Sequence, residues 1–566
     1  MNKITKSTRI IQGIHRLLNE KNGVFPKFHC NDAGIYISPS RAEDFPHSTP
    51  AKQGVRIEGI RSLVDVLSED GDLNLYGFGM LVNGTIIYES YHESNIPINR
   101  HVTFSMSKSI VSMAVGIAIE QKLFSLESKL YDIFLLKGKY HVKSYMKELT
   151  IRQLLMMQSG VAFDDVVSFF EEDWKKAYFE SSFLFPPGED FAYNSLNTYI
   201  LVAAIEETSG MSFSKFMDKN LFLPMNISDI SWDMCPHGTA IGGYGMKLSI
   251  PDMLKFGWLF LNDGAWTTNK TTIQLVPKWW IKECKTCKVL LPEKQIIQGY
   301  SYHTWILWDG AYLFNGLFGQ NIYIHPGRNL VIATNASAYE LFPDGKFVSR
   351  LMSYASIDLN FRKTYLCLPD RSIANIFQKN YSKQERKILR KMIDVEGRDF
   401  FFNNNQVSFV PLFTQVLYSN YMTGIQRIRF HVRNCNIYMY IHDSGEEYVV
   451  KLGYGSTPYI QQTLVINGKE YRISTGCNYV SEGMYAGMIK IKFIYPEEVS
   501  SKCMYISLKK DTLHVHIEEQ PSIVRLISAL NNERKLYNIK KRGHALMPEV
   551  IIRKLIKRMD TDIVSR

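Results

Sequence analysis

Ser105-Met106-Ser107-Lys108 places a hydroxyl and an amine three residues apart, where an alternating segment gives way to a long apolar one. On a helix, residues at this spacing share a face with about 5–6 Å between Cβ atoms. A hydroxyl is a weak nucleophile until a neighbouring base takes its proton. A lysine in apolar surroundings loses part of its preference for the charged form and can act as that base. A serine at a helix start also lies at the positive end of the helix dipole, which favours an anion there. The chemistry this pair suits is acyl transfer through a covalent serine ester. As a bare four-residue pattern, S-x-x-K is a weak signal.

The neighbouring elements would position the pair. Leu81-Val82 and Ile86-Ile87-Tyr88 read as a hairpin turning at Asn83-Gly84. Ile110, Val111, Met113, Ala114, Val115, Ile117, Ala118 and Ile119 make the following helix apolar nearly all round, so burial is expected. Arg56 to Leu67 reads as an earlier helix, helical segments run to about Leu261, and strands return from Gln298 to Thr334.

Further segments accompany the pair in a fixed order: Leu149-Thr150-Ile151-Arg152-Gln153-Leu154-Leu155 through Ser159-Gly160, Pro186-Pro187-Gly188 through Tyr193-Asn194-Ser195, Leu221 to Met225, Gly242-Gly243-Tyr244-Gly245 through Met253, and Gly316-Leu317-Phe318-Gly319-Gln320 followed by Pro326 and Leu330 to Ala333. From about Asn74 to Ser337 the chain thereby resembles the serine β-lactamase-related family, which includes class C β-lactamases, D,D-peptidases, carboxylesterases and 6-aminohexanoate-dimer hydrolases. The Gly-x-x-Gly-Gln form is most similar to the last two groups. The resemblance implies an α+β fold: a β-lactamase/transpeptidase-like sandwich, with an antiparallel sheet between helices on both faces plus a helical subdomain. The catalytic serine is then expected where sheet and helical subdomain meet.

The resemblance also implies roles. Ser105 is the expected nucleophile, Lys108 a member of the proton relay, and Tyr193 the tyrosine of a Tyr-x-Asn motif that passes a proton to the leaving group and later activates water. The N–H groups of Ser105 and Leu317 are the expected oxyanion hole. Gly316, without a Cβ, lets substrate approach the strand. Two positions depart from the family pattern. Ser195 stands where many relatives have Asn, with Asn194 or Asn197 as candidate substitutes for the amide. Phe314-Asn315-Gly316 falls where β-lactamases and D,D-peptidases have Lys-Thr-Gly, so the cation that holds a substrate carboxylate is replaced by an apolar wall. Ser195, Phe314, Asn315 and Gly316 are the expected substrate-binding residues. These features favour a serine hydrolase acting on a small ester, amide or amino-acyl bond. The alternatives are an acyltransferase using the same acyl-enzyme and a binding or sensing module that has lost turnover.

Length and composition set the remaining bounds. The 566 residues, 45% hydrophobic, suit several globular domains. The net charge of +11 is modest for this length. Ten basic against three acidic residues crowd Arg534 to Arg566, which reads as a solvated terminal-helix face rather than a nucleic-acid or membrane contact. Eight cysteines are too sparse for a disulfide scaffold, and Cys284-Lys285-Thr286-Cys287 lacks a second pair of ligands. No metal or cofactor is expected. Without a continuous apolar signal core or an eighteen-residue apolar run, a cytoplasmic location is expected. Asp164-Asp165 and Glu171-Glu172-Asp173 read as helix caps or as charges disfavouring anionic substrates.

The expected organisation is an N-terminal helix and linker over 1–50, a hydrolase domain over 51–357 and a helical connector over 358–400, with Ser382 to Ile393 as its helix. A β-rich domain over 401–545 and a basic helix over 546–566 follow. Strands are expected at Ile425–Val432, Ile437–His442, Tyr448–Leu452, Leu464–Ile466, Met488–Ile494, Met504–Leu508 and Thr512–Ile517. Some family members carry a lipocalin-like β domain at this place that shapes the active-site entrance, and by that analogy the same is expected here.

Overall fold

Strands and helices approach very closely at two glycines. A Cβ at Gly79 would lie 2.6 Å from Ile250, and one at Gly257 would lie 2.3 Å from Val331, so only glycine lets these layers meet. The computed structural model describes residues 45–92, 94–163, 168, 171–268, 271–340, 343–357, 381–403, 407–418, 420–522 and 561–565. They divide into two units, one holding residues 45–90 and 97–357, the other residues 91–96 and those from 381 onward.

The first unit begins with α1 (Ile57–Glu69), β1 (Leu75–Val82) and β2 (Thr85–Tyr91), followed by β3 (His101–Val102) and α2 (Ser107–Glu120). Four helices follow, α3 (Leu130–Ile133), α4 (Ile151–Leu155), α5 (Trp174–Phe179) and α6 (Ser195–Ser209), and then α7 (Phe213–Met217). After β4 (Ser231–Trp232) and β5 (Met246–Leu248) come α8 (Ile250–Leu261), β6 (Ala265–Thr267), β7 (Thr272–Gln274) and α9 (Lys278–Lys285). The unit closes with β8 (Val289–Leu290), β9 (Ile297–Tyr300), β10 (Trp305–Leu307), β11 (Tyr312–Gly316), β12 (Gln320–His325), β13 (Leu330–Ala336) and α10 (Lys346–Ile357).

Eight of these strands form one sheet in the order β2-β1-β13-β12-β11-β10-β9-β8. Chain-distant β1 and β13 pair antiparallel, Phe78 opposite Thr334, which closes the early hairpin onto the late strands. On one face α1 and α10 supply Ile60, Leu63, Leu67, Phe347 and Leu351 to a core shared with Phe78, Met80, Leu313, Tyr323 and Ile332. On the other face lies α8, whose Phe260 meets Phe314 edge-on at 5.1 Å. Helix α2 is buried from Ser107 through Ala118, as its all-round apolar sequence requires. A Cβ at Gly116 would lie 2.3 Å from the Trp280 ring of α9. This is the α+β sandwich expected, with helices on both faces of an antiparallel sheet.

The second unit holds α11 (Tyr381–Ile393), β14 (Asp399–Phe401), α12 (Leu412–Leu417) and two antiparallel sheets. One is β14 followed by β15 (Ile425–Arg433), β16 (Asn436–Asp443) and β17 (Glu446–Leu452) in that order. The other runs β18 (Ile460–Ile466), β19 (Lys469–Tyr479), β20 (Ile489–Ile494), β21 (Ser501–Lys509), β22 (Thr512–Gln520) and β23 (Thr561–Val564). Burial alternates along β16 and β22, the period of a strand with one covered face. Phe409 sits between the sheets, 5.2 Å from Tyr448 of one and 5.8 Å from Phe493 of the other. Beside it, buried Glu519 accepts hydrogen bonds from the N–H groups of Leu412 and Phe413 (2.8 and 3.0 Å) and pairs with Lys502 at 3.1 Å. The 11-residue β19 was not among the expected strands. The expected N-terminal helix and residues 546–560 of the expected basic helix lie outside the described residues, as do Asp164 and Asp165, whereas Thr561–Val564, expected as the end of that helix, is strand β23. No helix among the described residues is long and apolar enough to cross a membrane.

Candidate active site

Thr103 fixes the approach to Ser105. Its N–H and its hydroxyl both donate to the Met246 carbonyl at 2.8 Å, tying the turn to β5. A short 3-10 turn, Phe104–Met106, follows and runs into α2. Phe104 and Met106 are buried whereas Ser105 is partly exposed, so the turn presents the hydroxyl. Ser107 secures the helix start, its single hydroxyl hydrogen lying within reach of the carbonyls of Phe104 (2.9 Å) and Gly242 (2.6 Å).

Lys108 lies one turn further on and is 1% exposed. Its Nζ donates to Ser105 Oγ at 2.7 Å, Ser195 Oγ at 2.9 Å and the Gly243 carbonyl at 2.6 Å. An ammonium has three N–H donors, and all three directions find an acceptor. In a neutral amine, the Gly243 carbonyl and Ser195 hydroxyl would take the two remaining N–H groups. The lone pair would then point at Ser105 Oγ. A carbonyl cannot donate, so Gly243 fixes one of these directions without ambiguity.

The expected departure at Ser195 therefore has a definite structural outcome. Ser195 is the first residue of α6 and its hydroxyl takes the lysine contact directly. Neither neighbouring amide does so. Asn194 caps α6, accepting from the Leu196 N–H at 2.9 Å, and donates to the carbonyls of Val161 and Phe163. Asn197 accepts from Ser159 and Tyr178, each at 2.8 Å. Tyr193, just before the cap, stacks on Trp305 (5.7 Å, 17°), and Lys108 Nζ lies 4.9 Å from its ring centroid. The Tyr193 ring is thus held between an indole and the amine that touches Ser105.

The third segment reaches the same place through Gly316. A Cβ there would lie 2.0 Å from the Thr103 carbonyl oxygen, so β11 ends directly against the turn that carries Ser105. Leu317 follows and is partly exposed. Asn315 donates to Asn321 on β12 at 2.7 Å. Phe314 departs from expectation. It is fully buried against Phe260 of α8 and cannot form an apolar wall for substrate. Side chains alternate along a strand, and Tyr312 and Phe314 both fall on the α8 face, whereas Leu313 faces the α1/α10 core. Of the acidic group, Asp173 caps α5 by accepting from the Lys176 N–H at 3.0 Å, as a helix cap should.

Two participants were missed from sequence. Gly242-Gly243 stood out as a motif, but not as the source of a carbonyl for Lys108. A Cβ at Gly243 would lie 2.5 Å from the Ser195 carbonyl oxygen, and this closeness sets the Lys108 contact. The other is His303, 1% exposed, whose Nε2 lies 3.0 Å from Thr198 Oγ1 and whose Nδ1 lies 3.4 Å from the Tyr300 hydroxyl. Burial, followed by the nearby Lys108 charge, pushes its pKa down to about 3. Burial also holds the Tyr300 phenol well above its ordinary value, with Tyr193 adding to the effect.

An oxygen held by a buried amine, at the start of a helix wedged between sheet and helical layer, is the arrangement of a serine hydrolase. The family model described as Beta-lactamase matches residues 61–352, just over half of the chain, and the protein belongs to that family. No curated protein matches the sequence at a significant level. Among solved structures, it is similar to a provisionally assigned 6-aminohexanoate-dimer hydrolase from Bacillus anthracis: 19% identity, 61% of this chain, 92% of that chain, TM-score 0.47. It is also similar to an octameric penicillin-binding protein homologue from Pyrococcus abyssi (15%, 77% and 98%, 0.42) and a penicillin-binding protein from Bacillus halodurans (17%, 52% and 98%, 0.40).

Proposed function

We propose that the protein hydrolyses a small ester or amide through an acyl-Ser105 intermediate. The observation that carries this reading is the threefold seat of Lys108 Nζ on Ser105 Oγ, Ser195 Oγ and the Gly243 carbonyl. Lys108 takes the Ser105 proton as Oγ bonds to the substrate carbonyl carbon, whose oxygen becomes the oxyanion between the N–H groups of Ser105 and Leu317. The carbonyl re-forms as the bond to the leaving alcohol or amine breaks, and the proton passes to that group through Lys108 and Tyr193. Water then attacks the acyl-enzyme, giving up its proton to the same relay, and Ser105 is restored with release of the acid. Position 314 offers no cation for a substrate carboxylate, since Phe314 is buried in the core, and this favours a neutral acyl group.

The test is covalent labelling of the whole chain with a fluorophosphonate, together with turnover of short-chain p-nitrophenyl esters. Both are expected for the wild type and are expected to be lost in Ser105→Ala. A folded wild type that neither labels nor turns over esters would refute the reading. Rapid cleavage of a chromogenic cephalosporin without ester cleavage would refute the substrate preference.

A further inference from the structure

Two phenylalanines hold backbone conformations that bulky side chains rarely adopt. Most non-glycine residues with positive φ among those described are Asn, Asp, Lys or Ser. Phe104 (φ 47°) and Phe318 (φ 66°) are instead buried aromatics, and they face each other with ring centroids 5.3 Å apart at 60°. Each is the chain neighbour of a proposed oxyanion donor, Phe104 preceding Ser105 and Phe318 following Leu317. Left-handed non-glycine residues persist only where their surroundings over-determine them, and such places cluster at functional sites.

The surroundings here do so. Phe318 donates its N–H to the Glu340 carbonyl at 3.2 Å, and its own carbonyl accepts from the Ala338 N–H at 2.9 Å. Fully buried Gln320 reaches the carbonyls of Leu317 (3.2 Å), Phe318 (3.3 Å) and Ala336 (2.7 Å), and its Oε1 accepts from the Ala336 N–H at 3.3 Å. The peptide planes on either side of Phe318, the first of which begins at the Leu317 carbonyl, are therefore pinned to β13 and the segment after it. On the opposing turn, Phe104 is pinned by Ser107 and by the Met246 anchor of Thr103. Between the two, Gly316 rests against the Thr103 carbonyl.

We infer that the Phe104–Phe318 pair, braced by Gln320, is a positioning device that holds the two oxyanion donors in register. The inference rests on the proposed acyl-Ser105 reading. Neither ring is required to touch substrate. The pair acts by fixing where the Ser105 and Leu317 N–H groups lie, and such placement matters because a 1 Å error near a reacting centre can cost about 10²-fold in rate.

The test is the concentration dependence of fluorophosphonate labelling in wild type, Ser105→Ala, Phe318→Leu and Gln320→Met, with circular dichroism and Tm for each. Phe318→Leu keeps an apolar side chain but loses the edge-to-face ring, and Gln320→Met keeps length but loses the brace. Both are expected to lower the limiting labelling rate by between about 10- and 100-fold with an unchanged half-saturating concentration. A Phe318→Leu variant that folds and labels at the wild-type limiting rate would overturn the inference, as would a change confined to half-saturation. If Phe318→Leu does not fold, Gln320→Met decides by the same criterion. If neither folds, the pair supports the fold instead of the donors and the inference fails. A wild type that does not label at Ser105 refutes the proposed function itself, which separates the two failures.

Discussion

Gly243→Ala probes the lysine seat most directly. The added Cβ would lie 2.5 Å from the Ser195 carbonyl oxygen and 2.9 Å from Ser195 Cβ, where ordinary contact begins at 3.4 Å. Both obstacles belong to the start of α6 and neither is the far end of a flexible side chain, so the segments must part by about 0.9 Å. The Lys108 contacts to Gly243 (2.6 Å) and Ser195 (2.9 Å) lie on the two sides of that gap. The displacement would stretch at least one beyond the range of a hydrogen bond. A hydrogen bond to a charged group contributes about 1.5–3 kcal/mol, and a misplacement near 1 Å about 10²-fold in rate. We expect kcat/KM for a p-nitrophenyl ester to fall about 10²-fold, equivalent to about 2.7 kcal/mol of lost transition-state stabilisation. Ser195→Ala removes one acceptor without moving the backbone and should cost about tenfold to a hundredfold on the same scale. The assay is steady-state ester turnover, checked by fluorophosphonate labelling and Tm. Wild-type kcat/KM in a folded Gly243→Ala variant would show that the glycine carbonyl does not orient Lys108, and the geometric reasoning would fail.

Three further outcomes follow from buried groups. His303 titrates near 3 when folded, well below an unfolded histidine near 6.5, so between these values the unfolded chain binds more protons. Stability should therefore fall as pH drops below about 6.5, by up to about 1.4 kcal/mol per unit from this residue, and acid titration of Tm should show a shallower fall in His303→Asn. Phe314→Lys, which restores the motif's charge, should not create a carboxylate clamp, because it places an ammonium against Phe260 in the core. Its Tm should drop as for loss of a buried aromatic, about 3–5 kcal/mol, and increased cephalosporin turnover in a stable variant would contradict that placement. In the second unit, Glu519→Ala should destabilise by about 3–5 kcal/mol, because it leaves Lys502 buried without its partner and uncaps α12. Wild-type denaturant unfolding would refute that role.

Which parts of this could be read from sequence follows from the range of the interactions. The Ser105–Lys108 spacing is local and helical, and their contact follows from one turn of α2. The α2 run from Ile110 to Ile119 announces burial by composition. The facing of Phe314 could not be read, because alternation fixes parity along β11 but not which parity meets α8 and which meets the α1/α10 core. The placing of His303 could not be read because, although Tyr300 is a near neighbour in the chain, its closer partner Thr198 comes from the distant helix α6. Strand β19 escaped because Ser474, Thr475, Gly476 and Cys477 break its polar–apolar alternation. Gly476 is there for a close approach, with a Cβ falling 2.1 Å from the Pro458 carbonyl oxygen.

The replacement at the third position of the tyrosine motif bears on the binding-module alternative. Loss of an amide from a lysine's surroundings suggests weakened chemistry only if the lysine is left without support. Here the shorter Ser195 side chain sits at the first residue of α6, close enough for its hydroxyl to meet Nζ at 2.9 Å. The same close approach of α6 brings Ser195 against Gly243, whose carbonyl supplies the second support at 2.6 Å. A Cβ at position 243 would force the segments apart, so the glycine is what permits this close approach. What an amide side chain would provide, a fixed acceptor for one N–H of the amine, is retained by shortening the distance instead of lengthening the side chain. The departure from the family pattern therefore does not by itself argue against turnover. Lys108 Nζ still meets Ser105 Oγ at 2.7 Å.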